Sequence, residues 1–260
     1  MTLLCLDIRN NYTVVGLFDA DRLQAHWRVA SDERRTADEW HVLISGLVER
    51  TESADGVIDA IAVASTVPVI LHEMRELISR RYGGCQVSIV EPGTKTGVPI
   101  LTDNPREIGA DRIVNALAGV SLYGGPCVIV DFGTATTFDV VNDKAQFIGG
   151  VIAPGMGISL DALARRGSQL RAVELVRPRN VIAKNTVEAI QSGMVFGFAG
   201  QVDGIVDRIG ESLGVSLDDL TVVATGVYAD VVREECDTIS DYEPMLTLIG
   251  LRLVHERNHA

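Results

Sequence analysis

A chain of 260 residues, 47% hydrophobic and 22% charged, has enough apolar material for a sizeable core, as one large domain or two of ordinary size. Its formal net charge of −12 argues against a nucleic-acid or anionic-membrane surface, where a basic stripe is expected. An anionic nucleotide is still admissible, because backbone dipoles, a local Arg and bound cations act at shorter range than net charge.

In chain order, residues 2–8, 12–19 and 23–29 read as three short strands, with apolar and β-branched residues alternating with polar ones between turns. A helix is predicted from Thr36 to Arg50, since Trp40, Leu43, Ile44 and Leu47 recur at helical spacing and Thr36 can cap. Residues 59–65 form a buried strand, 68–81 a helix opened by Pro68, and 86–90 a further strand. A Pro/Gly-interrupted connection runs from Glu91 to Asn104, and residues 105–122 read as one long helix. The remainder offers strands at 126–131, 136–142 and 145–152, helices at 154–166 and 186–213, a strand at 221–225 and a last helix over 246–258. No apolar stretch approaches a membrane span and no basic-then-apolar leader is read, so a cytoplasmic location is expected. Cys5, Cys85, Cys127 and Cys236 form no CxxC pair and the five histidines have no ligand spacing. Free thiols in a reducing compartment are the expectation, and structural zinc is not.

One short design occurs twice. Leu4-Cys5-Leu6-Asp7 and Val128-Ile129-Val130-Asp131 are apolar strands ending in Asp, each followed by a polar turn and a second strand. In both, a Thr follows the Asp by six positions, at Thr13 and Thr137. A strand–Asp–turn–strand unit used twice predicts a duplicated α/β fold, residues 1–122 and 123–260, whose halves face a central cleft. Backbone N–H groups and Thr or Asn side chains in such a turn can converge on an anion, with the Asp nearby for a cation. The order ββ(β)αβα in each half is that of the split nucleotide-binding fold of sugar kinases and actin.

Three segments carry candidate chemistry. In Asp131-Phe132-Gly133-Thr134-Ala135-Thr136-Thr137 the Gly permits close backbone approach and the Asp ends an apolar strand where a charge needs a partner. The plainer reading is a hairpin turn whose hydroxyls satisfy the backbone. Gly109-Ala110-Asp111-Arg112 sits inside the predicted 105–122 helix, where a Gly costs about 1 kcal/mol against Ala and so implies a close approach. Asp111 can serve there as a general base and Arg112 can hold an anion; a surface helix pair of little worth is the alternative. Lys184-Asn185-Thr186 precedes a long amphipathic helix and reads first as a cap, second as a carboxylate site. Ala224-Thr225-Gly226, ending a late strand, is a weaker signal for a base or ribose.

Taken together, these segments resemble the type III pantothenate kinases, a family of the ASKHA superfamily. The likeness runs through DIRNNYTVVGLFD at 7–19, DNPREIGADRIVNALAG at 103–119, VDFGTATTFDVV at 130–141, GGVIAPGMGISLDAL at 149–163, KNTVEAIQSGMVFGFAGQVDGIVDRI at 184–209, VVATG at 222–226 and LTLIGLRLVHERN at 246–258. The resemblance implies ribonuclease-H-like halves and transfer of the ATP γ-phosphoryl group to pantothenate, giving 4′-phosphopantothenate in the first step of coenzyme A synthesis. It implies a first phosphate loop at Asp7, Ile8, Arg9, Asn10, Asn11, Tyr12, Thr13 and Val14, with Thr134 on the ATP phosphates. Asp111 falls at the general base, with Gly109, Ala110, Arg112 and Thr186 on pantothenate and Asp131 on a monovalent cation, K⁺ or NH₄⁺. Mg²⁺ would accompany ATP. A homodimer with a shared active site is implied, Thr186 reaching the partner's pocket.

The chain departs from the family pattern in three places. Arg9 stands where the first loop usually has Gly, and Asn11 where it has Thr; Thr102 replaces a Tyr before Asp-Asn-Pro, and Val227 a Gly after Val-Ala-Thr-Gly. Arg9 could supply a cation to the phosphates; in their path it would instead make the chain a catalytically weak or inactive member that binds pantothenate or nucleotide as a regulatory dimer.

Overall fold

The computed structural model describes residues 1–50, 58–91, 93–166 and 173–259. Two five-stranded sheets share one strand order. In the first, β3 (Arg22–Ala30), β2 (Tyr12–Asp19), β1 (Thr2–Ile8), β4 (Ala60–Ser65) and β5 (Gln86–Ile89) lie in that sequence; β1 runs antiparallel to β2 and parallel to β4. In the second, β8 (Phe147–Pro154), β7 (Ala135–Val141), β6 (Cys127–Phe132), β9 (Thr221–Thr225) and β10 (Asp241–Tyr242) repeat the pattern, β6 antiparallel to β7 and parallel to β9. This is a ribonuclease-H-like sheet built twice, the duplicated α/β fold expected from the two Asp turns.

Each sheet buries one face under its own helices. Leu4, Leu6 and Ile8 of β1, with Val15 and Leu17 of β2, pack in a cluster with Trp40 and Ile44 of α1 (Ala37–Val48) and Ile70 and Met74 of α2 (Pro68–Arg81). Full burial of side chains this size contributes about 2 kcal/mol apiece. Thr36 caps α1 as its sequence foretells. Its hydroxyl accepts the Glu39 N–H while the Glu39 carboxylate accepts the Thr36 N–H at 2.9 Å, a reciprocal capping box. In the second sheet Val128, Val130 and Phe132 of β6 and Phe138 of β7 join Met194, Val202 and Val206 of α5 (Thr186–Leu213).

Differences from the expected elements have local causes. Instead of one helix over 105–122 there is a single 3₁₀ turn, Pro105–Glu107, and then α3 (Ala110–Tyr123). Asn104 caps the short turn through Arg106 N–H, and Ile108 turns extended at φ −79°, ψ 127°, which ends it. Pro154 closes β8, paired with Ala135, and does not open a helix; α4 (Met156–Arg166) starts two residues later. Proline is tolerated there because β8 is an edge strand. The short helix α6 (Ala229–Val232) and the two-residue β10 are too brief to leave a periodic signal.

By contacts the chain forms two compact units, Met1–Pro99 with Asp103–Ala118 and the C-terminal residues from Thr247, and Ile100–Thr102 with Gly119–Leu246. The last helix, α7 (Leu246–His259), thus returns to the first unit from its second residue onward, which a single boundary near 122 does not provide for. There the Thr247 hydroxyl accepts from Arg9, the His255 ring meets Ser88, and the Arg252 guanidinium lies over the Phe18 ring.

Candidate active site

The two Asp turns differ in length despite equal spacing in sequence. In the first, Asp7 pairs with Val14 and Ile8 with Thr13, leaving four residues, Arg9 to Tyr12, in the turn; Arg9 N–H closes it on the Tyr12 carbonyl at 3.1 Å. In the second, Asp131 pairs with Thr137 and Phe132 with Thr136, leaving three. Cross-strand partners share a face of the sheet, so Thr137 lies on the Asp131 face whereas Thr13 lies on the Ile8 face, opposite Asp7. Thr13 is accordingly fully buried, its hydroxyl paired with Ser31 at 2.9 Å. The spacing that makes the copies look alike does not give the two Thr residues one role.

Arg9 is held inside the first unit. It is 8% exposed, donates from Nε to Asp7 Oδ2 at 2.8 Å, and donates from Nη2 to Thr247 Oγ1 at 2.9 Å. Thr247 in turn donates to Asn115 Oδ1 of α3 at 2.7 Å. These bonds tie the first turn to α3 and α7, and the Asp7 charge is met by a guanidinium of the same turn. Asn10 and Asn11 are exposed at its tip and Tyr12 is half-buried.

The second turn is cleared on two sides. A Cβ added to Gly155 would fall 2.2 Å from the Thr134 carbonyl oxygen and 2.6 Å from that of Gly133. At Gly226, φ is +95° and a Cβ would stand 2.4 Å from Asp131 Oδ1 and 2.7 Å from Phe132 N. Backbone pressed this close to Asp131 and Thr134 is what a phosphate cradle requires. Asp131 is 4% exposed and pairs with the buried Thr225 across β6 and β9, so a carboxylate and a hydroxyl, the oxygen donors a hard cation takes, sit on neighbouring strands there.

Gly109 is not in a helix interior, contrary to the expectation. It precedes α3, its carbonyl accepting from Ile113 N–H, and its missing Cβ leaves room for Asp111 Oδ1, which would lie 2.5 Å from it. Ala110, Asp111 and Arg112 are half-buried in the first turn of α3, where the N-terminal dipole favours a carboxylate. Thr186 opens α5 and is exposed. Asn185, not Thr186, is the cap: its Oδ1 accepts Glu188 N–H at 2.9 Å. Burial pushes the Cys127 and Cys236 thiols up to about 12, and the Cys5 thiol up as well, so all three are inert near neutrality.

The family model described as type III pantothenate kinase matches residues 3–208, spanning both Asp turns, α3 and most of α5. The chain belongs to the type III pantothenate kinase family. A protein of Thermobifida fusca (strain YX) named type III pantothenate kinase is 57% identical over 256 residues, 98% of this chain and 99% of its own length. Among solved structures, the activator of the 2-hydroxyisocaproyl-CoA dehydratase from Clostridium difficile, with bound ADPNP, is similar at TM-score 0.59 and 14% identity, covering 100% of this chain and 96% of that one. A ROK hexokinase from Thermus thermophilus is similar at TM-score 0.55 and 17% identity, with 100% of both chains covered. Those two likenesses show the ASKHA fold alone.

In this family member, the residues missed by motif reading are those that act on the backbone or from afar. Gly155 carries no side chain to single it out, and Thr247 meets Arg9 across 238 positions of chain and Asn115 across 132. The only trace in sequence is one polar residue set among the leucines of Leu246-Thr247-Leu248.

Proposed function

We propose that the chain transfers the γ-phosphoryl group of ATP to the primary hydroxyl of pantothenate, the first step of coenzyme A synthesis. Asp111 takes the hydroxyl proton as the oxygen–phosphorus bond forms and the bond to the β-phosphate breaks, releasing ADP and 4′-phosphopantothenate. Gly109 and Ala110 line the acceptor and Arg112 holds its carboxylate. Thr134 and the backbone beside it cradle the nucleotide phosphates, and the Asp7–Val14 turn forms the other phosphate loop. Mg²⁺ bound with the nucleotide spreads the charge that develops on the transferring group. A K⁺ or NH₄⁺ at Asp131 would hold the second turn in shape. Arg9, being engaged by Asp7 and Thr247, acts by neutralising Asp7.

The observation that carries this reading is the pair of glycines, Gly155 and Gly226, that clears the Asp131–Thr134 turn in a chain related over its whole length to pantothenate kinases. A homodimer is part of the proposal. Ile152 on the edge strand β8, Ile158 and Leu163 on α4, and Ile182 and Val187 around the start of α5 are large apolar side chains 42–87% exposed, more than a lone surface needs. Thr186 lies among them in sequence, which suits its completing a partner's site. No described helix is long and apolar enough to cross a membrane, and the four cysteines are free, which agrees with a cytoplasmic enzyme.

The test is pantothenate-dependent ADP formation by purified protein with Mg²⁺, with K⁺, NH₄⁺ and Na⁺ compared, alongside its mass in solution. Turnover that needs K⁺ or NH₄⁺ and vanishes without pantothenate is expected, from a dimer. Pantothenate binding without turnover, with any nucleotide donor, defeats the proposal.

A further inference from the structure

The first turn is tied to two residues that are given no role from sequence alone. An arginine has only N–H donors, so the Thr247 hydroxyl must accept from Arg9, and its own proton is then committed to Asn115 Oδ1. The chain Arg9 to Thr247 to Asn115 therefore has one polarity, and all three residues are at least nine-tenths buried. Its effect is on direction. Asp7 grips the guanidinium at Nε and Thr247 grips it at Nη2. Two points of attachment fix the plane of a group that otherwise swings on a four-bond stem.

We propose that Thr247, oriented by Asn115, is a positioning residue for nucleotide binding: it holds Arg9 across Asp7 so that the turn meets phosphate as a neutral pair. The inference rests on reading Asp7–Val14 as a phosphate loop. Without the Thr247 hydroxyl the guanidinium loses its hold at Nη2 and lies less firmly across Asp7, which leaves the carboxylate less well covered toward an incoming polyanion and the turn's backbone less ordered. Neutrality and order both follow from one hydroxyl on α7.

The experiment measures the Kd for ATP by calorimetry, and KM for ATP and for pantothenate, in the full-length protein. Thr247→Val keeps the shape and removes the hydroxyl. Its ATP Kd and KM are expected to rise about tenfold, the loss of a hydrogen bond to a charged group, while the pantothenate KM stays put. Thr247→Ser is expected to restore both. In an Arg9→Gly background Thr247→Val is expected to do nothing, since it acts through Arg9. Should Thr247→Val fail to fold, Asn115→Ala is read the same way, with a rise of about threefold. An unchanged ATP Kd, an equal rise in both KM values, or the same loss in the Arg9→Gly background overturns the proposal. A wild-type protein that binds ATP without pantothenate-dependent turnover defeats the kinase reading and leaves the Kd comparison to decide this one. A wild-type protein that binds no nucleotide overturns both.

Discussion

The β1–β2 and β6–β7 turns are built from the same strands in the same sheet order, yet they are equipped in opposite ways. The first carries its own cation: Arg9 lies buried on Asp7, and further side chains from α3 and α7 hold it there. The second carries no Arg or Lys between Asp131 and Thr137 and is instead stripped of side chains, with Gly133 inside it and Gly155 and Gly226 pressed against it. One turn therefore pairs its buried carboxylate with a cation of its own, and the other presses backbone against its carboxylate, the arrangement proposed above to receive phosphate. Duplication preserved the scaffold and freed the contents of each turn to differ.

The largest expected effect separates both turns from the chemistry. Asp111 belongs to neither, so Asp111→Asn should lower kcat about a thousandfold by removing the proposed proton acceptor, with the Kd for ATP unchanged by calorimetry. A kcat within a few-fold of wild type would move the base elsewhere. Next comes the first turn. Arg9→Met removes the guanidinium from a carboxylate that stays buried, which should cost about 3 kcal/mol of stability in chemical denaturation. Activation by K⁺ should survive, because the cation site proposed above is at the second turn. Loss of K⁺ dependence in Arg9→Met would show that the turns are not independent.

Gly226→Ala tests the second turn with a smaller change. The added methyl meets Asp131 Oδ1 and Phe132 N at a positive φ, so about 2 kcal/mol of strain is expected, with weaker activation by K⁺ and a raised KM for ATP. A variant as stable and as K⁺-responsive as wild type would mean that the turn yields and that its glycine is not there for the cradle.

How much of this was legible in sequence follows from the range of each interaction. Strand alternation, the Thr36–Glu39 capping box and the repeated Asp are local, and they give the α/β duplication and the position of both turns. The same local view puts Gly109 in a helix, because the Asn104 cap and the extended Ile108 that divide 105–122 depend on dihedrals that the apolar periodicity does not encode. It likewise treats Thr13 and Thr137 as equivalents, since a register shift of one residue leaves no mark on spacing. Arg9 reads in sequence either as an obstruction or as a cation for the phosphates; its partner Thr247 is 238 positions away and only the return of α7 to the first unit brings them together.

The smallest predicted effect uses that return. His255 on α7 is 1% exposed, its Nδ1 is 3.0 Å from Ser88 Oγ of β5, and its ring lies 4.4 Å from that of His259, which meets the same hydroxyl. Burial, and then the His259 charge, lower its pKa from 6.5, with Glu256 opposing. A base whose folded pKa is lowered binds fewer protons folded than unfolded, so stability is complete above pH 6.5 and declines as pH falls from there toward the lowered value, flattening below it. Protonation also sets two like charges on adjacent turns of one helix, against a single hydroxyl. Because Thr247, which holds Arg9, is in the first turn of α7, loosening its far end should reach the β1–β2 turn before the β6–β7 turn. Amide exchange compared at pH 7 and pH 5.5 should therefore speed up in residues 9–12 and not in 133–135, and His255→Gln should remove most of that difference. Equal acceleration in both turns, or none removed by the substitution, would make the acid response global and leave α7 no special hold on the first turn.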